Sequence, residues 1–256
     1  MHETRSNKIS PRLAFLAPAI LFLLIWALLS AGNPRLEYFV GSPSRVGAYL
    51  LDGTINGWLL RDLGITGGEA SVGYFFGNAM GVGLAIALWW IPSIGRILKP
   101  YIAALGAAPL FAASPLLILW FGTGFSSKVA MVILSTVFVA LAHSTRGLNS
   151  VPEEQVRLVR SFGGDTLQVF RFVAVPSLLT WMASAMRLNI GFAILGAFLG
   201  EFLSAEAGLG KRVLVATGLF DMSLVIAGIL GLVALAGVFY AAVELCERLA
   251  RGVLRR

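Results

Sequence analysis

Residues 150–176 read SVPEEQVRLVRSFGGDTLQVFRFVAVP, the one long polar interval between segments otherwise apolar enough for lipid. Ser150 followed by Glu153 has the spacing of a capping box, and Pro152 is tolerated in a first turn. Val156, Val159 and Phe162 recur at about one helical turn, with Arg157 and Arg160 turned elsewhere, until Gly163 and Gly164 end the helix. Asp165 and Thr166 can cap a second helix carrying Leu167, Phe170 and Val173, which Pro176 closes by removing a backbone donor. The spacing predicts two short amphipathic helices bent at a glycine pair. Between membrane spans such stripes cannot both face lipid, so a groove on a soluble partner is their natural use.

Working outward, the 256 residues are 57% hydrophobic and only 13% charged, with mean hydropathy +0.83. An ordinary soluble domain carries about a quarter charged residues, so the composition is that of an all-α integral membrane protein. The net charge of +7 would suggest nucleic acid if Lys and Arg formed a face, but they sit in short stretches at span ends. Six spans are expected: Leu13–Ala31, 19 residues and too long for a secretory signal core, then about 70–90, 101–121, 129–142, 178–199 and 224–245. Residues 32–69, with Trp58, are expected as an outer loop with an interfacial helix.

The second span carries Gly73, Gly77, Gly81 and Ala85 at four-residue spacing, a ladder that lets another helix come close; packing within the chain is favoured over a dimer seam. The third contains Pro109 and Pro115, and broken helices are tolerated where they face protein or a water-filled cavity. Pro109, Ser114, Pro115, Ser135, Thr136 and Asn189 are therefore pathway candidates, each supplying a polar group or a broken backbone at span depth, with internal packing as the competing use. Arg187, inside the fifth span, either faces a cavity, where it would favour anions, or snorkels to the surface.

Six spans put both ends on one side. Thirteen Lys and Arg fall on the side of the ends and of residues 150–176, against six opposite, so the positive-inside rule makes that side cytoplasmic. The divisions are then a tail at 1–12, a first span and outer loop at 13–68, a core at 69–246 and a basic tail at 247–256.

Gly163, Val173, Val175 and Pro176 match the pattern of a glycine followed by aliphatic, one residue, aliphatic and proline, which resembles the cytoplasmic EAA loop of the permease subunits of bacterial ABC importers. The Glu-Ala-Ala positions are Arg157, Leu158 and Val159, so a basic residue replaces the family's acid, and Glu153 and Glu154 lie a turn earlier. PLFAASPLLILWFGTG at 109–124, GLNSVP at 147–152 and GEFLSAEAGLG at 200–210 resemble the subgroup importing nitrate, sulfonates and taurine, over roughly residues 70–245. The resemblance implies a type I importer bundle with a cytoplasmic coupling loop, whose ATPase contact falls on Glu153, Glu154, Arg157, Phe162, Gly163, Gly164, Asp165 and Pro176. It implies as partners two ATP-binding subunits, a second permease copy, the chain itself supplying only one loop, and a solute-binding protein outside the bacterial inner membrane.

No phosphate-binding loop is present: Gly210 and Lys211 are followed by Arg212 and lack the earlier glycine, so ATP is expected on a partner and no cofactor in this chain. Two histidines, His2 and His143, and one cysteine, Cys246, leave a zinc site without its usual ligands. His143 is expected at the end of the fourth span, Cys246 in packing, and Glu201, Glu206 and Lys211 as solvated loop charges where a binding protein could touch. The alternatives are a self-sufficient carrier or channel and, further off, an intramembrane enzyme.

Overall fold

The computed structural model describes residues 11–32, 34–108, 110–204 and 206–254. Pro109, Ala205 and both chain ends, including His2, lie outside them. The described residues form helices α1 (Pro11–Gly32), α2 (Pro34–Val40), α3 (Pro43–Ile55), α4 (Trp58–Trp90), α5 (Pro92–Ala107), α6 (Ser114–Phe121), α7 (Phe125–Asn149), α8 (Glu153–Ser161), α9 (Thr166–Val169), α10 (Val175–Ser204), α11 (Leu209–Gly218) and α12 (Met222–Leu254). Among the described residues, four stretches are long and apolar enough to cross a membrane: 58–90, 125–149, 166–204 and 222–249. Residues 92–106 and 111–121 make a fifth if their bent pair is one span, and α1 contributes the shorter apolar helix Ala17–Gly32.

The centre is α7, clamped between α4 and α10 by glycines on both neighbours. A Cβ on Gly77 would stand 1.9 Å from Thr136 Oγ1, and one on Gly81 2.5 Å from the Val137 carbonyl oxygen. From the other side, a Cβ on Gly196 would meet Ser135 Oγ at 2.9 Å and one on Gly200 Lys128 Cγ at 3.0 Å. In lipid, helices associate by such close van der Waals approach rather than by escape from water. The ladder of α4 is thus an internal seam, and Val132, Ala140, Ala193 and Ala197 are fully enclosed around it.

Several boundaries differ from the sequence expectation. The second span begins at Trp58, well before residue 70: Asp62, Thr66 and Glu69 of its first turns are buried, Asp62 against Arg212 and Thr66 against Glu201, rather than left in water. The third span is not straight: its halves meet at 79°, and Ala108, the residue before Pro109, is extended (ψ 145°), the conformation a following proline imposes. The fourth runs on to Asn149, so His143 lies within α7, half-buried against Trp181, and does not end it. Cys246 is exposed rather than packed. The outer loop after α10 contains a further helix, α11.

The segment between α1 and α4 is tied down by side-chain bonds. Trp26 donates its indole N–H toward the carbonyls of Val40 and Gly41, and Ser42 donates its backbone N–H to Ser223 Oγ at 3.1 Å. Tyr49 donates to Asp221 at 2.5 Å with Arg45 alongside, so α3 is pinned to the turn between α11 and α12.

Candidate coupling surface and polar core

The two short helices of 150–176 form, but not wholly by the expected devices. Ser150 does not cap α8: its hydroxyl bonds the Gly147 carbonyl, and the helix starts after Pro152 without a side-chain cap. Glu153, Glu154 and Arg157 are exposed on α8, no residue of which is buried. Its end is a Schellman turn, in which the Gly163 N–H bonds the Arg160 carbonyl at 2.9 Å and the Gly164 N–H that of Val159 at 3.0 Å. Gly163 has φ +81°, and a Cβ on Gly164 would come within 2.6 Å of the Val159 carbonyl oxygen. Each glycine therefore has its own reason: one a left-handed backbone, the other a close approach.

Asp165 caps α9, accepting the Gln168 N–H at 2.7 Å while Gln168 Oε1 accepts the Asp165 N–H at 2.9 Å. Pro176 does not stop the following helix. A π-helical turn over Phe170–Ala174 leads into α10, with Pro176 as that helix's second residue, so the missing N–H falls where the ladder is already rearranged. The stripe divides accordingly. Phe170 packs on Trp89 and Trp90 at 4.9 and 5.3 Å, and Val169, Val173 and Ala174 are buried. Phe162 is 84% exposed, with Leu158, Leu167 and Phe172 exposed near it in sequence. One side anchors the loop; the other is uncovered.

The pathway candidates separate into three groups. Asn189 and Thr136 come together: Asn189 Nδ2 donates to Asn78 Oδ1 at 2.8 Å and to the Thr136 carbonyl at 3.1 Å, and Asn78 Nδ2 donates to the Tyr74 carbonyl. This buried knot joins α4, α7 and α10, and it includes Asn78, a polar side chain at span depth like Asn189 that the sequence reading passed over for the glycines around it. Ser114 and Ser135 line one narrow crevice with Phe111, Leu117, Met131 and Leu134, while Pro115 is exposed in the first turn of α6. Arg187 stands apart, its guanidinium bonded through two nitrogens to the carboxylate of Glu247 on α12, so its charge is matched on the bundle's exposed side.

The end of the bundle away from α8 and α9 holds what the sequence reading misplaced. Glu201 is fully buried rather than solvated, Lys128 is 1% exposed and Glu69 4%. Thr66 donates its hydroxyl to Glu201 at 2.7 Å and accepts the Leu209 N–H at 3.1 Å, and the Gly210 N–H reaches Glu201 at 2.6 Å. Lys128 Nζ donates to the carbonyls of Thr123 and Ser204 and to Ser204 Oγ. Asp62 pairs with Arg212 at 2.5 Å, and that guanidinium lies 3.8 Å over the Trp58 ring. Beside them Arg61, Glu206 and Lys211 open into a cleft of about 270 Å³. Among the described residues no group of His, Cys, Asp and Glu could hold a metal ion.

Residues 77–252 match the family model described as binding-protein-dependent transport system inner membrane component. The chain is 29% identical to a probable ABC transporter permease protein of Haemophilus influenzae, over 87% of this chain and 90% of that one. It is 34% identical to the riboflavin transport system permease RibX of Chloroflexus aurantiacus, over 60% of this chain and 58% of that one. It is 31% identical to the taurine transport system permease TauC of Escherichia coli, over 58% and 54%. Among solved structures, an inward-facing methionine transporter MetNI superposes with a TM-score of 0.65 at 17% identity, covering 76% of this chain and 97% of that one.

Proposed function

The chain belongs to the family of binding-protein-dependent transport system inner membrane components, and from that premise we propose how this permease subunit of an ABC importer receives its work. The observation that carries the proposal is the uncovered apolar tip of residues 150–176: Leu158, Phe162 and Leu167 exposed beside Arg157, on a turn fixed by Gly163, Gly164 and the Asp165 cap. Burying such a side chain is worth about 1.5–3 kcal/mol each, so a soluble ATPase whose groove covers them gains a firm hold. Glu153 and Glu154, on the first turn of α8, stand in for the acid that Arg157 replaces. Because the turn is stiff and Phe170 wedges it against Trp89 and Trp90, movement of the tip is passed to the α4 end and to α10 rather than absorbed in the loop.

In this scheme ATP-driven closure of two ATPase subunits moves two such loops, one from each of two copies of this chain, and the α4, α7 and α10 bundles rock to alternate access. Both termini and the loop are cytoplasmic, α1 completes the crossings, and a solute-binding protein delivers cargo at the face carrying α2, α3 and α11. The pathway lies along the crevice of Ser114 and Ser135 and the α5–α6 bend, with the Asn78, Thr136 and Asn189 knot as its rigid wall. Arg187 contributes no net charge, being matched by Glu247. The cargo is a small polar organic solute, with taurine and sulfonates first to test and flavins second, since relatives carry both names.

Vesicles reconstituted with this chain, its ATPase and a loaded binding protein are expected to take up solute only with ATP. Gradient-driven uptake by the chain alone would instead favour a self-sufficient carrier and sink the coupling scheme.

A further inference from the structure

The cluster at the junction with α11 buries two carboxyl groups, Glu69 of α4 and Glu201 of α10: Thr66, one turn before Glu69 on the same face of α4, bonds Glu201 directly. Hydrogen counting assigns their states. The Thr66 hydroxyl accepts the Leu209 N–H, so its single proton is the one directed at Glu201 Oε1, and the Gly210 N–H is directed at Oε2. With a donor on each oxygen, Glu201 fits the ionised form. Glu69 Oε2, by contrast, has no hydrogen-bond partner. An ionised Glu69 would bury a charged, donor-less oxygen against a second carboxylate, which costs far more than a neutral acid donating to its neighbour.

Among the described residues, the surroundings leave no other compensation. Lys128 of α7 is the nearby cation, but its three N–H groups are directed at Thr123 and Ser204, so it balances one negative charge without bonding either carboxyl. Asp62 and Arg212 neutralise each other, and Glu206, which also faces Lys128, is exposed. No group of three or more His, Cys, Asp or Glu among the described residues could hold a metal ion, and Gly208, at φ +105°, folds the turn over the carboxylate so closely that a Cβ there would sit 2.2 Å from Glu201 Oε1. We propose that Glu69 and Glu201 form a one-proton binding site, the proton resting on Glu69 and donated to Glu201, which holds the outer ends of α4 and α10 closed. Stripping that proton leaves an uncompensated negative charge in the seam and loosens it. This site is independent of the coupling surface, and its failure would leave that surface untouched.

The test uses the assembled importer in lipid discs, stepped from mildly acidic to alkaline buffer while infrared difference spectra follow carboxyl groups. Wild type is expected to lose one protonated-carboxyl C=O band; Glu69→Gln should lack it, and Glu206→Gln should keep it. Thermal unfolding should weaken with rising pH in wild type and stay flat in Glu69→Gln, whose amide preserves a neutral donor. A band that survives in Glu69→Gln, or equal pH slopes in the two proteins, overturns the proposal. Should Glu69→Gln not assemble, the wild-type spectrum decides alone, because absence of a titrating band also overturns it.

Discussion

The two ends of the bundle solve opposite problems. At one end, α8 and α9 are held by short-range bonds, Gly163 to Arg160, Gly164 to Val159 and Asp165 to Gln168, and leave Phe162 and Leu158 uncovered. At the opposite end Asp62, Thr66, Glu69, Lys128 and Glu201 come from three helices and are buried, with Thr66 and Glu201 bonded to each other and to the Leu209–Gly210 backbone, Asp62 paired with Arg212, and Lys128 bonded to Thr123 and Ser204. A surface that keeps its shape locally while exposing apolar side chains is built to be covered by something else. A surface that buries its charges is built to close on itself, and each should therefore fail differently when changed.

The largest effect is expected at the closed end. Glu201→Leu strands the Gly210 N–H and the Lys128 charge, and losing one partner of a buried charged network costs about 3–5 kcal/mol; denaturant unfolding of the purified chain measures it, with Glu206→Leu as the near-silent comparison. Phe162→Ala should leave the fold within about 0.5 kcal/mol, as surface changes do. Its ATPase affinity, measured by titration in detergent, should fall by about 2 kcal/mol, roughly thirtyfold, as for an anchoring aromatic. If Phe162→Ala instead destabilised the fold, the contrast between the ends would be lost.

Gly163→Ala forces an L side chain into the left-handed region at about 1–2 kcal/mol, which should raise the ATP consumed per solute moved without changing insertion. The smallest effect belongs to the middle. Asn189→Leu removes the bonds to Asn78 and Thr136, and intramembrane bonds of this kind are worth about 0.6–1 kcal/mol, read as a modest loss of thermal stability with ATPase binding intact.

What could be read from the chain beforehand follows the same division. The Gly73, Gly77 and Gly81 ladder, the Gly163–Gly164 bend and the Asp165 cap were legible because their physics acts within a few residues. The bend before Pro109 was legible as a break but not as an angle. Thr66 and Glu201 are 135 residues apart, and nothing in a charge flanked by Gly, Phe and Leu says whether water or a distant threonine receives it. Arg187 was open for the same reason, since its partner Glu247 lies on another span. Ser150 and Glu153 had capping spacing, yet the hydroxyl is taken by Gly147, a tertiary competitor that the pattern does not contain.

The central claim is that the tip of residues 150–176 is the seat of the ATPase. A cysteine at Ser161, exposed at the end of α8, should crosslink to the co-expressed ATPase with a yield that changes on adding ATP. Labelling of that cysteine by a membrane-impermeant reagent from outside the cell, with no ATPase crosslink, would contradict it.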